Sequence, residues 1–448
     1  MTRKHVCKHR NNPSTKAAPR LIWVVVAALF LLSSLTACSS FGKKEEVTGI
    51  AQYGDEGALF ARQLAQRFPQ RYPYSDEESG AAQMIAEELR SYGYEPEIQH
   101  FSVTDEEGVR RNSANVIAHL SGKGFQLSDK ITDEDRDKWP ESQKGLIMIL
   151  GAHYDTPEFA LAETEEVDEE TENDFKWPEG IHNNASGVAA VLTAARVMRL
   201  EAPGYDVIFV FFGAGTDEYQ GARHYMASLS SEERKQVEVM VNIGPIYAGD
   251  KVYAHAGQNS VRGGEYKDYQ KRRKLYQVTD IFFDNQMNTK NRYAIYTNQA
   301  SFLVPTDTGE TAVFREWTTK LSDHTPFDRA GIPIVFFESG EYRVKSVDEV
   351  MIESRNPYFQ ETGGLISKTR FDRIDLLENL FREMDEQQAR QTIPIIDGGE
   401  EEPLETEEGD EGETQKIVPR LTLRINNTAF VLVQLARKGP LNYDFSES

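Results

Sequence analysis

A histidine and an aspartate two positions apart follow an apolar run in the first third of the chain. The stretch "GAHYDT" places His153 and Asp155 at the end of the run 145–152. In extended backbone such residues point to the same side, so the Asp155 carboxylate can hold one ring nitrogen of His153. That arrangement supports a histidine that binds metal through its other nitrogen. Alone, such a pair is more often a structural hydrogen bond.

Three more stretches place polar residues where a strand ends or a helix begins. They are "GIHNNASGVAAVL" with Asn183, Asn184 and Ser186, "FFGAGTDEYQGARHYM" (211–226), and "SDHTPFDRAGIPIVFF" with His324. Ligands of open α/β sheets bind beyond the carboxyl ends of the strands, so a site is expected among these stretches. The two asparagines and the serine are also good helix N-caps, which is the simpler interpretation of them.

Short apolar runs alternate with helical patterns along the chain. Because the runs are apolar at nearly every position, they predict strands covered on both faces. The alternation predicts an α/β fold with a central, mostly parallel sheet. The predicted strands are 115–120, 145–152, 205–213, 237–243 and 332–339, and the clearest predicted helices are 77–94 and 185–200.

In chain order, these stretches resemble the zinc aminopeptidases of family 28 in peptidase clan MH, a family that also includes glutaminyl cyclase-like enzymes. The landmarks are "ANVIAHLSGKG", "GAHYDT", "NASGVAAVLTAARV", "FVFFGA" with "GARHY", and "SDHTPFDRAGIPIV". They lie between about Gly57 and Gly340. The resemblance implies a three-layer α/β/α fold of the zinc-aminopeptidase type.

The resemblance also implies a site with two zinc ions. In the family, two histidines and three carboxylates bind the metals, and a glutamate is the general base that activates water. His153 stands at the position of the first histidine ligand, and Asp155 at that of the aspartate that supports it. His324 stands at the position of the last histidine ligand.

The family's carboxylates are missing from the matching positions of this chain. Asn183 replaces the aspartate that bridges the metals, and Asn242 replaces the third carboxylate. Gly215 replaces the general base, and Thr216 replaces the ligand beside it. Two zinc ions bring four positive charges, and Asn and Thr are poor zinc ligands. The sequence therefore predicts a degenerate metal site and no zinc cofactor.

An alternative metal site keeps the chemistry by using neighbouring residues. His182 precedes Asn183, and Asp217 and Glu218 follow Thr216, so these three side chains are possible substitute ligands. Aligning Asp217 and Glu218 with the family's glutamates requires a two-residue insertion followed by a two-residue deletion. The ungapped alignment keeps six residues between "FGA" and "GAR", as the family does.

The N-terminus has the order of an export signal: basic residues, the apolar run 21–35, and small residues. "LTAC", which ends at Cys38, resembles the lipobox of bacterial lipoproteins. We therefore expect 1–37 to be a signal peptide and Cys38 to carry lipid that anchors the chain in the bacterial envelope. Ser39 resembles the pattern for outer-membrane delivery. A plain signal peptide and a single membrane anchor remain alternatives.

Charge and cysteine content limit the partners further. Cys7 and Cys38 are the only cysteines, so no disulfide is expected after processing. Removing residues 1–37, which hold six Lys/Arg and no Asp/Glu, takes the formal charge from −22 to −28. Such a charge disfavours nucleic acid and anionic headgroups as partners. Solubility is the simpler reason for it.

The predicted organisation is one domain with flexible additions. Acidic composition predicts disorder before the C-terminal helix, and two charged insertions are predicted to be surface loops. The segments are a tether at 38–56, the domain at 57–396, insertions at 128–144 and 157–180, the acidic segment 397–416, and a helix within 417–448 that docks on the domain.

Three functions are compatible with these residues. The first is a non-catalytic homologue that binds a peptide or protein in the former cleft. The second is an active zinc-dependent aminopeptidase with a rearranged site. The third is a structural envelope protein whose cleft is closed.

Overall fold

A computed structural model of the chain describes six ranges: 53–159, 177–261, 267–288, 295–306, 309–391 and 418–445. All of them belong to the unit Ile50–Ser448. The predicted signal peptide 1–37, most of the tether, and the acidic segment 397–416 lie outside the described residues, as does most of the insertion 157–180.

The strands of the central sheet carry apolar side chains that point alternately to its two faces. Within the described ranges, eight strands pair in the order β1-β2-β6-β5-β7-β12-β8-β9. They are β1 Glu97–Thr104, β2 Arg110–Leu120, β5 Ile147–His153, β6 Asp206–Phe212, β7 Val237–Ile243, β8 Lys251–Ala256, β9 Ile295–Thr297 and β12 Ile334–Gly340; the remaining strands are β3 Phe125–Leu127, β4 Ser142–Gln143, β10 Leu303–Pro305, β11 Thr311–Val313 and β13 Tyr443–Asp444.

The sheet is parallel in the middle and mixed at its sides. Strands β6, β5, β7 and β12 are parallel neighbours, as predicted. The β1-β2, β2-β6 and β12-β8 pairs are antiparallel. The carboxyl ends of the four parallel strands therefore share one edge of the sheet, and the residues that follow them meet there.

Helices cover both faces of the sheet. In β5, Met148 and Leu150 pack into the larger apolar cluster, whereas Ile147 and Ile149 pack into the smaller one on the other face. This alternation gives the three layers that the family resemblance implied. The helices are α1 Gly54–Arg67, α2 Asp76–Ser91, α3 Asp133–Arg136, α4 Ser186–Leu200, α5 Gln220–Ser228, α6 Ser231–Gln236, α7 Tyr269–Asn288, α8 Thr325–Arg329, α9 Ile374–Gln391 and α10 Arg420–Arg437.

Two segments differ from their predicted boundaries or form. Helix α1 begins at Gly54, so the ordered domain starts three residues before its predicted start at residue 57. The insertion 128–144 contains the short helix α3 and strand β4, which joins β3 and β13 in a separate sheet. The C-terminal helix α10 packs against α1, α4 and α7. None of the helices in the described ranges is long and apolar enough to cross a membrane.

A buried ionic cluster fixes the carboxyl end of β12. The carboxylate of Glu338 lies 2.7 Å from Lys320 Nζ and 3.4 Å from His255 Nε2, and it accepts a hydrogen bond from the Tyr342 hydroxyl. Burial raises the pKa of Glu338, but the charge of Lys320 and the nearby His255 ring outweigh burial. Together they lower the pKa to about 2. The carboxylate is therefore ionised at neutral pH.

We predict that Glu338→Gln destabilises the fold by about 3 kcal/mol near pH 7, because it leaves Lys320 buried without its partner. The pKa of Glu338 is lower folded than unfolded, so its contribution is complete above about pH 4.5 and falls as the pH drops towards 2. Urea unfolding from pH 7 to pH 3 measures this. Glu232→Gln, which removes an exposed partner of Lys235, is the control and should change little. The prediction is contradicted if the difference in free energy of unfolding between the wild type and Glu338→Gln does not vary with pH.

Candidate functional site

Strand β5 delivers His153 to the edge of the sheet where the parallel strands end. Its Nδ1 lies 3.3 Å from Asp155 Oδ1 and 3.2 Å from the Asp155 carbonyl oxygen. Burial lowers the pKa of His153, but the Asp155 carboxylate outweighs burial, and the pKa is raised. Asp155 therefore orients His153 through one nitrogen, in the arrangement that the spacing indicated.

The Asp155 carboxylate also holds the turn after β6. It accepts hydrogen bonds from the backbone N–H of Gly215 and of Thr216, both at 2.8 Å. The Thr216 hydroxyl donates to the same carboxylate at 2.5 Å. Burial raises the pKa of Asp155, but the hydrogen bonds from His153 and Thr216 lower it below its usual value. The Thr216 hydroxyl is neutral and is not one of the usual zinc-ligating groups, so it does not supply the charge of a glutamate ligand.

The space beside Gly215 is closed. A Cβ atom at this residue would lie 2.3 Å from the Cβ of His153 and 3.0 Å from Asp323 Oδ1. Real Cβ atoms do not approach a neighbour as closely as 2.3 Å. Gly215 therefore does more than remove the family's general base, because His153 and Asp323 now pack where its side chain would begin.

The segment Ile181–Ala185 brings two asparagines to the same edge. Asn184 Nδ2 donates to the carbonyls of Ile243 at 2.9 Å and His153 at 3.3 Å, tying the ends of β5 and β7 together. The N-cap prediction is wrong, because Ala185 is the N-cap of α4 and no side chain caps it. Ser186 instead donates to the His182 carbonyl.

Asn242 and His324 meet at the end of β7. Asn242 Nδ2 lies 3.1 Å from Ser322 Oγ and 3.4 Å from His324 Nδ1. Burial lowers the pKa of His324 to about 4, so its ring is neutral at physiological pH. Burial raises the pKa of the adjacent Asp323 to about 6.

Several buried oxygen atoms at this edge lack partners. Among the described residues, no hydrogen-bond donor reaches the Oδ1 atom of Asn183, Asn184, Asn242 or Asp323. A buried acceptor without a donor is costly, so these atoms mark a place where a ligand or ordered water would be stabilised.

The possible substitute ligands have partners elsewhere. His182 Nε2 lies 3.1 Å from Glu353 Oε1, and its Nδ1 accepts the backbone N–H of Ala248. Asp217 accepts a hydrogen bond from the Tyr74 hydroxyl. Glu218 is exposed and lies 3.1 Å from Arg223. Each of the three side chains is therefore engaged with a partner within the fold.

The resemblance inferred from the landmarks is confirmed by comparison with known proteins. The model of peptidase family M28 matches residues 137–362, just over half of the chain. The chain belongs to peptidase family M28.

Individual relatives of this M28 member are distant. The alkaline phosphatase isozyme conversion protein of Escherichia coli K12 is 21% identical over 351 residues, which cover 77% of this chain and 88% of the relative. An aminopeptidase of Pseudomonas aeruginosa PAO1 is 28% identical over 116 residues, 25% of this chain and 18% of that protein. The zinc aminopeptidase BSAP of Bacillus subtilis superposes with a TM-score of 0.50 at 13% identity, covering 88% of this chain and 98% of that structure. The structural likeness shows the shared fold.

The residues that the resemblance assigns to the family's metal positions do not fit a pair of zinc ions. His153 and His324 are present, but both are neutral ligands when they bind metal. The three carboxylate positions hold Asn183, Thr216 and Asn242, which supply no negative charge. Within the described ranges, no three His, Cys, Asp or Glu side chains are grouped so that they could hold a metal ion.

Sequence reasoning missed Glu78, which supports the site from α2. Its carboxylate accepts the backbone N–H of Ala214 at 2.6 Å, the Ser113 hydroxyl at 2.9 Å and the backbone N–H of Tyr74 at 2.7 Å. Burial, reinforced by the charge of Asp155, raises the pKa of Glu78 to about 8. The spacing from Ser75 to Glu78 is that of a helix-capping box, which was the available signal.

Arg71 and Asp372 were also missed, and no local pattern marks either of them. Arg71 is fully buried, and among the described residues it donates to backbone carbonyls, those of Phe68, Tyr154, Glu179 and Gly180. Asp372 accepts the backbone N–H groups of His182 and Asn183 at 2.6 and 3.0 Å. Both residues therefore fix the backbone that precedes α4.

We predict that Gly215→Ala lowers the free energy of unfolding by about 1–3 kcal/mol, because the added methyl group must displace His153. Gly340→Ala is the matched control, since its nearest neighbour, a ring carbon of Tyr342, is 3.2 Å away. Gly340→Ala should lower the free energy of unfolding by less than Gly215→Ala does. Urea unfolding of the three proteins provides the comparison. Equal stability of Gly215→Ala and the wild type would show that the space is open.

Proposed function

We propose that this M28 member is a non-catalytic protein that acts by binding a peptide or a protein segment. The observation that carries the proposal is the site around Asp155. Its carboxylate engages Thr216, where the family has a metal ligand, and His153 and Asp323 close the space beside Gly215, where the family has its base. Without these groups, water has neither metal ions nor a base to activate it.

The ligand class follows from the acceptors that the site leaves unpaired. The Oδ1 atoms of Asn183, Asn242 and Asp323 are buried and lack donors among the described residues. A peptide brings N–H groups, which are donors of the kind that these atoms lack, and it reaches the buried atoms when the edge of the sheet opens to admit it. Asn in place of Asp keeps an acceptor of similar shape and removes its charge, so recognition of an uncharged backbone suits the altered site.

A small cavity beside the site limits how deeply a ligand enters. It is bordered by Thr156, Gly180 and Asp372 and has a volume of about 10 Å³, enough for about one water molecule. The ligand therefore binds shallowly, as the end of a peptide or a protruding loop does. The same observation favours a structural envelope protein as the second candidate. Titrating the protein with labelled tripeptides separates the two, because only the binding protein gives a saturable signal.

The alternative of an active zinc-dependent aminopeptidase requires a rearranged site. It would use His153 and His324 together with some of His182, Asp217 and Glu218. The contacts of the last three with Glu353, Tyr74 and Arg223 do not support this arrangement.

We predict that the wild-type protein, incubated with zinc and dialysed, retains far less than one zinc ion per chain and does not hydrolyse aminoacyl substrates. The variant Asn183→Asp/Asn242→Asp restores two carboxylates beside the retained histidines, so it should retain more zinc. Elemental analysis and a chromogenic aminopeptidase assay, with and without chelator, test both proteins. Stoichiometric zinc and chelator-sensitive hydrolysis by the wild type would overturn the proposal.

We also propose that the chain is a lipoprotein of the bacterial envelope, anchored through lipid on Cys38. The predicted result is that Cys38→Ser abolishes labelling by a fatty-acid analogue and releases the protein from the membrane fraction. Cys7→Ser, within the removed signal, is the control and should behave as the wild type. If the wild type incorporates no lipid, a plain signal peptide or a membrane anchor is the correct interpretation. Density separation of the two membranes tests outer-membrane delivery.

A further inference from the structure

A cavity remote from the family's site lies where α7, the end of α10 and the turn 128–131 meet. Its volume is about 330 Å³, at the lower end of the range for small-molecule sites. Four basic side chains line it, together with two acidic ones. The basic residues are Lys130, Arg273, Arg437 and Lys438, and the acidic residues are Asp280 and Asp444.

The basic residues stand out because the chain as a whole carries a formal charge of −22. Two of them are offset by carboxylates outside the cavity. Arg437 Nη2 lies 2.6 Å from Glu201, and Lys438 Nζ lies 3.8 Å from Asp284. Among the described residues, neither Arg273 nor Lys130 has a carboxylate within 4.0 Å. The charge of the more distant Glu238 also acts on Arg273, but it leaves the other guanidinium N–H groups and the Lys130 ammonium free to bond a ligand.

One hydrogen bond holds Arg273 in place, and the rest of its guanidinium is unbonded among the described residues. Its Nη2 donates to the Gly439 carbonyl at 2.8 Å, and within the described part of the chain its guanidinium makes no other hydrogen bond. Gln277 Nε2 donates to the same carbonyl at 3.2 Å, which fixes the turn beneath the guanidinium. A half-buried guanidinium with free N–H groups is arranged for two-point contact with an oxyanion.

We propose that this cavity binds a small organic anion, with a carboxylate or phosphate group bonded to Arg273 and attracted by Lys130. The cavity volume limits the ligand to a small molecule or a single headgroup. Asp280 and Asp444 are exposed at the rim, where they repel a long polyanion and favour a ligand with one anionic end. This site is independent of the proposed function, because none of the six residues belongs to the family's metal site.

Calorimetric titration of the purified full-length chain, in neutral detergent, tests the proposal. The probes are inorganic phosphate, glycerol phosphate and succinate. At least one should bind, and Arg273→Gln should weaken its binding at least tenfold. Arg273→Lys keeps the charge and loses the planar fork of the guanidinium, so its affinity should lie between those of the wild type and Arg273→Gln. Arg223→Gln removes an exposed arginine on α5 and should bind as the wild type does.

Vesicles distinguish a soluble anion from a lipid headgroup. Stronger binding to phosphatidylglycerol vesicles than to phosphatidylcholine vesicles, with the difference abolished by Arg273→Gln, identifies a headgroup as the source, because the proposed lipid anchor inserts into both. Arg273-dependent binding of soluble probes alone identifies a free solute. Both outcomes support the site. The proposal is overturned if no probe or vesicle binds, or if the Arg273→Gln protein binds as tightly as the wild type while circular dichroism shows it folded.

Discussion

The buried carboxylate of Asp155 is the contact on which the edge of the sheet depends. It holds the ring of His153 at the end of β5 and the backbone of Gly215 and Thr216 after β6. Two neighbouring strands are thereby joined beyond their last ladder hydrogen bond. Because the carboxylate is fully buried, its charge is stable only while these donors surround it. The frame at this edge therefore consists of contacts among His153, Asp155 and the turn at Gly215 and Thr216.

The changes from the family pattern remove charge with little change of shape. Asn183 and Asn242 are close in shape to the aspartates that they replace, so the turns around them need not move. The Asn242 amide bonds to Ser322. Uncompensated zinc charges would be disfavoured beside neutral amides, and three buried carboxylates would repel one another without zinc. Neutral amides at these positions therefore suit a site without zinc.

Charge is distributed unevenly over the molecule. The composition is strongly acidic, yet the cavity beside α7 gathers Arg273 and Lys130 without close carboxylate partners among the described residues. Net charge governs long-range attraction and solubility, whereas a half-buried guanidinium acts over a few ångströms. An acidic protein can therefore hold a local site for an anion.

The sequence alone determined the family and the layered α/β architecture, and it predicted which positions correspond to the family's metal ligands. Apolar runs report burial on both faces, and ordered motifs such as "GAHYDT" fix which strand end carries His153. It did not reveal the antiparallel sides of the sheet, because strand direction depends on connections rather than on apolar pattern. Only the tertiary structure decided what occupies the vacated site. The burial of Arg71, the reach of Glu78 to Ala214 and the closed space at Gly215 all depend on contacts between residues far apart in the chain. Such contacts leave no local pattern in the sequence.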